Sequence, residues 1–416
     1  MKIALVGNMN NNNFAIMRYF RDLGADAHLL LWSNDGQGVL AHFTPENDTW
    51  EIDKWSPYIH DTGVADGVGT LLGNPRKFQW PVGKRRIVRQ FGGYDAYVGS
   101  GYAPAILARA GIRMDIFYPY GVGIEGVGSL SVKKYFETRS AWKKIIIGRV
   151  RDIQMAAIRN ARHCVCADLC GLTRQAFEEI GRTALPLAVP MVYNGEIPPR
   201  GGAAGRLAKI MADLGKYDLK ILSHARQLWV REEGYSPEEW KSRCKNNDWL
   251  IQGFAQALKR SRAGNPLLML VEYGKDVPAT KALIAELGIG DHVMWLPKMN
   301  RKEIQGLLGL CDAGVGQFGV DPGMIWGGTG WEVLAAGRPL LQTVNFTDEE
   351  FRRIFGSGLP PILDVRSPED VARHVEDMVL RREVYADIGR RSQEWFNAHN
   401  GIGLAKKWLE LIHEPR

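Results

Sequence analysis

A chain of 416 residues is long enough for two or three domains, each with its own buried core. Hydrophobic residues make up 45% and charged residues 24%, the balance of an ordinary globular protein, which excludes a disordered or collagen-like chain. The net charge of +7 favours anionic partners such as nucleotide diphosphates, acidic glycans or lipid headgroups. No nucleic-acid-binding module accompanies that charge, so nucleic acid is not an expected partner.

No apolar run reaches the ~18 residues of a membrane-spanning helix. The opening Met1-Lys2-Ile3-Ala4-Leu5-Val6-Gly7 reads as a strand and turn, without the zones of a signal peptide. The expected location is the cytoplasm, including the inner face of a membrane as a peripheral protein. Cys164, Cys166 and Cys170 lie together beside His163, but no Cys or His pair follows at a ligand spacing. They read as buried thiols in a reducing compartment rather than as a metal site.

Residues 2–6 form an apolar strand, 7–13 a polar turn, and Phe14, Ile16, Met17, Tyr19, Phe20 and Leu23 the apolar face of a helix. Residues 27–32 are the next strand, and this βαβ opening predicts a doubly wound parallel sheet. The turn lacks Gly-x-Gly-x-x-Gly, which disfavours a dinucleotide. Asn8, Asn12 and Asn13 offer neutral donors and acceptors at the carboxyl end of that strand, where open α/β sheets bind ligands. Residues 33–90 read as a loop-rich insertion. Strands follow at 95–99 and 114–118, and a second glycine-rich turn at 119–126 brings Tyr120 and Gly121 to another strand end. Residues 131–162 are strongly basic with interleaved apolar residues. They read either as a solvated helix face over a core stripe or as a basic helix on an anionic membrane surface. A strand at 163–167, a helix at 170–181 and a strand before Asn194-Gly195 close the first half.

Residues 197–206, rich in Gly, Pro and Ala, read as a linker. The expected domains are 1–200, 201–390 and a C-terminal helical segment, 391–416, returning to the first domain. The second half repeats the alternation, with strands at 219–223, 267–271, 292–296 and 313–318. Arg226 follows the first of these. Lys245 precedes a helix that Asn247 or Asp248 is placed to cap, after a polar insertion at 231–244. An arginine fork and a lysine point charge at a helix start suit a diphosphate. Residues 327–341 combine a glycine-rich turn (Gly327, Gly328, Thr329, Gly330), a short helix carrying Glu332, and a strand at 339–344. Thr329-x-x-Glu332 matches a capping box, and amides at such a helix start also suit a phosphate.

Taken in order, these features resemble the retaining glycosyltransferases of the two-Rossmann (GT-B) type, family 4 in particular. The likeness covers most of residues 210–345. Arg226 and Lys245 resemble the family's diphosphate-binding pair, Tyr193-Asn194-Gly195 its turn before the linker, and Trp331-Glu332-Val333-Leu334-Ala335-Ala336-Gly337-Arg338-Pro339 its Glu-Ala-Met-Ala-x-Gly-Lys-Pro. The resemblance implies two doubly wound Rossmann-like domains facing a cleft and a metal-independent, hexosyltransferase-like enzyme without a cofactor. It would move a sugar from a nucleotide-sugar donor to a glycan or lipid-linked acceptor, in cell-surface polysaccharide or glycoconjugate synthesis. Arg226, Lys245 and Glu332 would be its central residues. Gly327, Gly328, Thr329, Gly330, Lys298 and Asp321 would bind the donor, and Asn8, Asn12, Asn13, Tyr120 and Gly121 would line the acceptor side. The family's first glutamate is replaced by Met324, and Asp321 is the acid three residues before it. A nucleotide-sugar epimerase of the same fold and a non-catalytic nucleotide-sugar or glycan-binding protein are the alternative readings.

Overall fold

The computed structural model describes residues 1–32, 44–64, 84–120, 141–167, 171–196, 210, 214–260, 264–319 and 326–415. It divides into two compact units. One comprises Met1–Tyr193, Arg353–Phe355 and Asn400–Arg416; the other comprises Asn194–Arg352 and Gly356–His399.

The first unit holds β1 (Lys2–Val6), β2 (Asp26–Leu31), β3 (Ile59–Asp61), β4 (Ala96–Gly99), β5 (Ile116–Phe117) and β6 (His163–Cys164). They form one sheet in the order β3-β2-β1-β4-β5-β6, with every pairing parallel. The second unit holds β7 (Leu219–Ser223), β8 (Pro266–Val271), β9 (Val293–Leu296), β10 (Ala313–Val315), β11 (Leu340–Gln342) and β12 (Leu363–Asp364). Its order is β12-β11-β10-β7-β8-β9, again all parallel. Helices cover both faces of such sheets, so the central strands read as unbroken apolar runs. Ile3 to Val6 and Leu267 to Leu270 are wholly buried. The doubly wound prediction holds in both halves.

Each sheet reverses its winding once. In the first, the chain builds outward from β1 to β3 and then resumes on the other side of β1 with β4. In the second, it builds from β7 to β9 and resumes with β10. The crevices at the carboxyl ends of β1/β4 and β7/β10 are the switch points where ligands of open α/β sheets bind.

Helical packing holds each unit together. Helix Ile402–His413 packs on helix Asn12–Asp22 within the first unit. There the Trp408 indole is fully buried and donates to the Ala188 carbonyl at 3.1 Å. In the second unit, helix Asn247–Arg260 lies tightly against helix Pro368–Leu380. A Cβ added at Gly253 would stand 2.3 Å from the Pro368 carbonyl oxygen and 2.5 Å from the Val371 Cβ. Gly253→Ala is therefore expected to destabilise the second unit by about 2 kcal/mol, despite alanine's better helix propensity. The urea-unfolding midpoint measures this; an unchanged or raised midpoint would contradict the close approach.

Several local expectations are corrected. The residues before Asn194 form no strand; the Tyr19 hydroxyl donates instead to the Val192 carbonyl at 2.8 Å. The strand expected at 339–344 is only Leu340–Gln342. The insertion at 231–244 contains a helix, Pro237–Arg243, whose start is closed by reciprocal Ser236–Glu239 hydrogen bonds. Most of the expected insertion at 33–90, the turn from 121 onward and residues 131–140 of the basic stretch lie outside the described residues. The rest of that stretch includes helix Ala141–Asn160, with Ile145 exposed.

Candidate active site at the second switch point

Glu332 sits on helix Gly328–Ala335, which begins directly after Gly327. Gly327 is extended (φ −67°, ψ 170°) and is itself the N-cap. The capping box expected from Thr329 is therefore absent. Thr329 lies inside the first turn, and its buried hydroxyl has no hydrogen-bond partner among the described residues. Gly337, in the left-handed conformation (φ 69°), follows the helix end, as its position before Pro339 suggests. On the helix's other side Trp331 is buried. Its ring stacks on Trp395 at 6.4 Å and touches Trp326 at 5.0 Å. This aromatic packing fixes the rotation of the helix, and with it the direction of Glu332.

Glu332 is 8% exposed, and each of its carboxylate oxygens has a hydrogen-bond partner. His224, the residue after β7, places Nε2 2.7 Å from Oε2. Arg301, at the start of helix Arg301–Leu308, places Nε 2.8 Å from Oε1. A carboxylate only accepts, so the His224 proton of this bond is on Nε2. Its Nδ1 is buried without a partner among the described residues. Burial alone would raise the Glu332 carboxyl above its ordinary 4.5; the His224 hydrogen bond and the Arg301 charge outweigh it and hold the group lower. Each oxygen keeps lone pairs for further donors, so the anchored carboxylate remains able to accept from a diol.

Lys245 is tied to the ends of both central strands. Its amide donates to the Leu228 carbonyl at 2.7 Å, and its carbonyl accepts from Phe318 N at 3.3 Å. Asn246 adopts a left-handed conformation (φ 44°) and donates to the Phe318 carbonyl at 2.6 Å. The Lys245 ammonium donates to Gln317 Oε1 at 2.7 Å. Gln317 follows β10, and its amide N donates to Gln342 Oε1 at 2.9 Å. Neither expected cap is a side-chain N-cap: Asn247 and Asp248 are the first two residues of their helix, and Asn247 Oδ1 accepts from Leu228 N at 2.9 Å.

Arg226 follows β7 as expected and is exposed, without a hydrogen bond or ion pair among the described residues. Lys298 is also exposed, its ammonium 5.1 Å from the Tyr273 ring centre. Asp321 and Met324 lie outside the described residues. Among the described residues no group of three His, Cys, Asp or Glu could hold a metal ion.

At the first switch point the asparagines form a network. Asn8 bonds Asn11 at 2.6 Å and the Phe14 amide at 3.0 Å. Asn13 bonds the Val6 and Gly7 carbonyls and receives the Tyr118 hydroxyl at 2.8 Å. Asn10 donates to the Tyr120 hydroxyl at 2.8 Å. Asn12 is fully buried, and both its amide atoms are unpartnered among the described residues. Gly121 is outside the described residues. Asn10 and Asn11, both left-handed, carry the turn, which asparagine tolerates.

The residues missed from sequence are Arg301, Gln317 and the role of His224. Only His224 carried a signal, its place at the carboxyl end of a strand.

No family model matches the chain, and no curated protein matches it by sequence. Solved structures do. HepE of Anabaena, crystallised in complex with UDP, is similar at a TM-score of 0.56 and 14% identity, over 99% of each chain. Sucrose-phosphate synthase of Thermosynechococcus elongatus is similar at 0.55 and 14% identity, over 99% of this chain and 98% of that one. WaaG, a glycosyltransferase of lipopolysaccharide biosynthesis, is similar at 0.51 and 13% identity, over 99% and 100%. Two all-parallel, doubly wound units and near-complete overlap with these structures give the chain the GT-B fold, with two Rossmann-like domains.

Proposed function

We propose that the protein is a retaining, metal-independent glycosyltransferase that takes a sugar from a nucleoside-diphosphate donor. The observation that carries this reading is the second switch point. There an anchored carboxylate (Glu332), an ammonium (Lys245) and the amides of Gly328 and Thr329 lie at the carboxyl ends of β7 and β10, whereas the Gly330 amide donates to the Gly327 carbonyl at 3.0 Å. The carboxylate suits the ribose diol of a nucleotide; the amides and the ammonium suit its diphosphate. As the glycosidic bond breaks, negative charge grows on the leaving diphosphate. Fixed donors meet that charge without reorganising, which lowers the barrier. Arg226, exposed and close in sequence to His224, supplies a mobile fork for the same phosphates.

The acceptor in this reading is a glycan or lipid-linked glycan bound beside the asparagine turn of the first unit, with Asn8 and Tyr120 as its neutral contacts; Asn12 and Asn13, expected on this side, are fully buried beneath the turn and do not reach a ligand. In the same reading Gly121 would serve the acceptor and Asp321 the donor, both lying outside the described residues. The basic helix Ala141–Asn160 suits an anionic membrane surface, which would place the protein on the inner face of a membrane, making cell-surface polysaccharide or glycoconjugate. UDP is the first ligand to try, because HepE has been crystallised with UDP and with UDP-glucose. No described helix is long and apolar enough to cross a membrane.

The test is a thermal-shift series with UDP, GDP, ADP and their sugars. A donor at about 100 times its Kd is expected to raise the unfolding midpoint by about 5 °C through mass action. Arg226→Ala is expected to weaken the binding about tenfold. No shift with any nucleotide would remove the donor-site reading. Conversion of a nucleotide sugar without acceptor would replace transfer with epimerisation.

A further inference from the structure

Gln317 stands between Lys245 and the glycine turn, and its amide orientation is set by its neighbours. An ammonium only donates, so the oxygen of Gln317 faces Lys245, at 2.7 Å. The amide nitrogen therefore faces the other way, against Gly327. A Cβ at Gly327 would lie 2.5 Å from Gln317 Nε2, so the approach requires a glycine there. That nitrogen makes no hydrogen bond among the described residues. The Gln317 backbone is held on both sides by Gln342, whose Oε1 accepts from Gln317 N at 2.9 Å and whose Nε2 donates to the Gln317 carbonyl. Gly316 leaves room for this clamp, because a Cβ there would fall 1.9 Å from Gln342 Oε1. A pinned backbone, a fixed amide and an unused donor at a helix start form a built feature, since each would be lost by a one-residue change in Gly316, Gly327 or Gln342.

We propose that Gln317 is a phosphate-binding and positioning residue of the donor site. Its Nε2 donates to the diphosphate beside the amides of Gly328 and Thr329, while its Oε1 holds the Lys245 ammonium in register with the same phosphate. The choice of glutamine follows from charge. A neutral amide orients the ammonium without adding a negative charge beside it. A glutamate at this position would neutralise Lys245 and repel the phosphate. This inference rests on the donor-site reading above.

The experiment uses the full chain with Gln317→Leu and the isosteric Gln317→Glu. Calorimetry measures the tightest of UDP, GDP and ADP, and competition measures the matching nucleoside. Gln317→Leu is expected to weaken the diphosphate about tenfold and Gln317→Glu about hundredfold, as a hydrogen bond to a charged group is lost and a like charge added. The nucleoside is expected to bind all three proteins within about twofold, and the unfolding midpoints to stay level. Equal diphosphate affinity in all three proteins overturns the role of Gln317 and leaves the donor site standing. Parallel loss of nucleoside and diphosphate overturns it too, since that marks a structural effect. Failure of the unmodified protein to bind any nucleoside diphosphate removes the donor site, and Gln317's role with it.

Discussion

Glu332→Ala is expected to weaken nucleoside-diphosphate binding about hundredfold and to destabilise the second unit by about 3 kcal/mol. The two effects share one cause. The carboxylate is the acceptor for His224 Nε2 and Arg301 Nε, and all three side chains are largely buried. Truncation leaves a guanidinium and an imidazole N–H without their acceptor in a low-dielectric place, which costs more than an intact pair contributes. It also removes the acceptor for a ribose diol. Glu332→Gln separates the contributions: its carbonyl still accepts from one donor, so most stability returns while the charge does not. Calorimetric binding and urea unfolding read the two effects. Undiminished nucleotide affinity in Glu332→Ala would remove the carboxylate from the donor site. The pH dependence has a definite sign. Because the folded-state pKa of Glu332 lies below its ordinary 4.5, its stabilising contribution is complete above that value and is lost as pH falls through the folded value. The alanine variant is therefore expected to show a flatter stability decline below pH 4.5 than the unmodified protein.

The second large effect lies in the first unit. Asp48→Ala is expected to destabilise it by about 4 kcal/mol, equivalent to about 10 °C in unfolding midpoint. Arg18 is 1% exposed, on a helix whose residues Asn12 to Phe20 are all buried. Its guanidinium lies over the rings of Phe14 and Tyr193, 4.1 and 4.3 Å from their centres. It donates to the Asp48 carbonyl at 3.0 Å and pairs with the Asp48 carboxylate. Removing only the carboxylate strands a buried cation. Replacing both partners, Arg18→Met with Asp48→Leu, is expected to recover most of the loss, since the pair's own desolvation offsets much of its attraction. A loss below about 1 kcal/mol in Asp48→Ala would show that the other contacts of Arg18 suffice.

What was legible from sequence follows from range. The strands were readable because a parallel sheet buried on both faces demands consecutive apolar residues, as in Ile3 to Val6 and Leu267 to Leu270. The alternation of these runs with helical segments fixed a doubly wound architecture. Glu332, Lys245 and the glycine turn stood out because glycines and charges at helix starts have local meaning. The errors were of another kind. Thr329 matched a capping pattern, yet the backbone of Gly327 made the cap, and no pattern of side chains encodes which residue turns first. Nothing local marked Arg18 as buried, because its partner, Asp48, is 30 residues away.

By itself, then, the amino-acid sequence determined the two doubly wound units and the segments that bear ligand chemistry, because these depend on near-neighbour periodicity and turn chemistry. Only the tertiary structure decided what those segments face. His224 and Arg301 stand 108 and 31 residues from Glu332, and Gln317 stands 72 from Lys245. They meet because the sheet order sets β10 beside β7, after the chain has already built two strands on the other side. A hydrogen bond depends on distance in space, and the crossover that creates this distance is a property of the packed sheet rather than of any one stretch of chain.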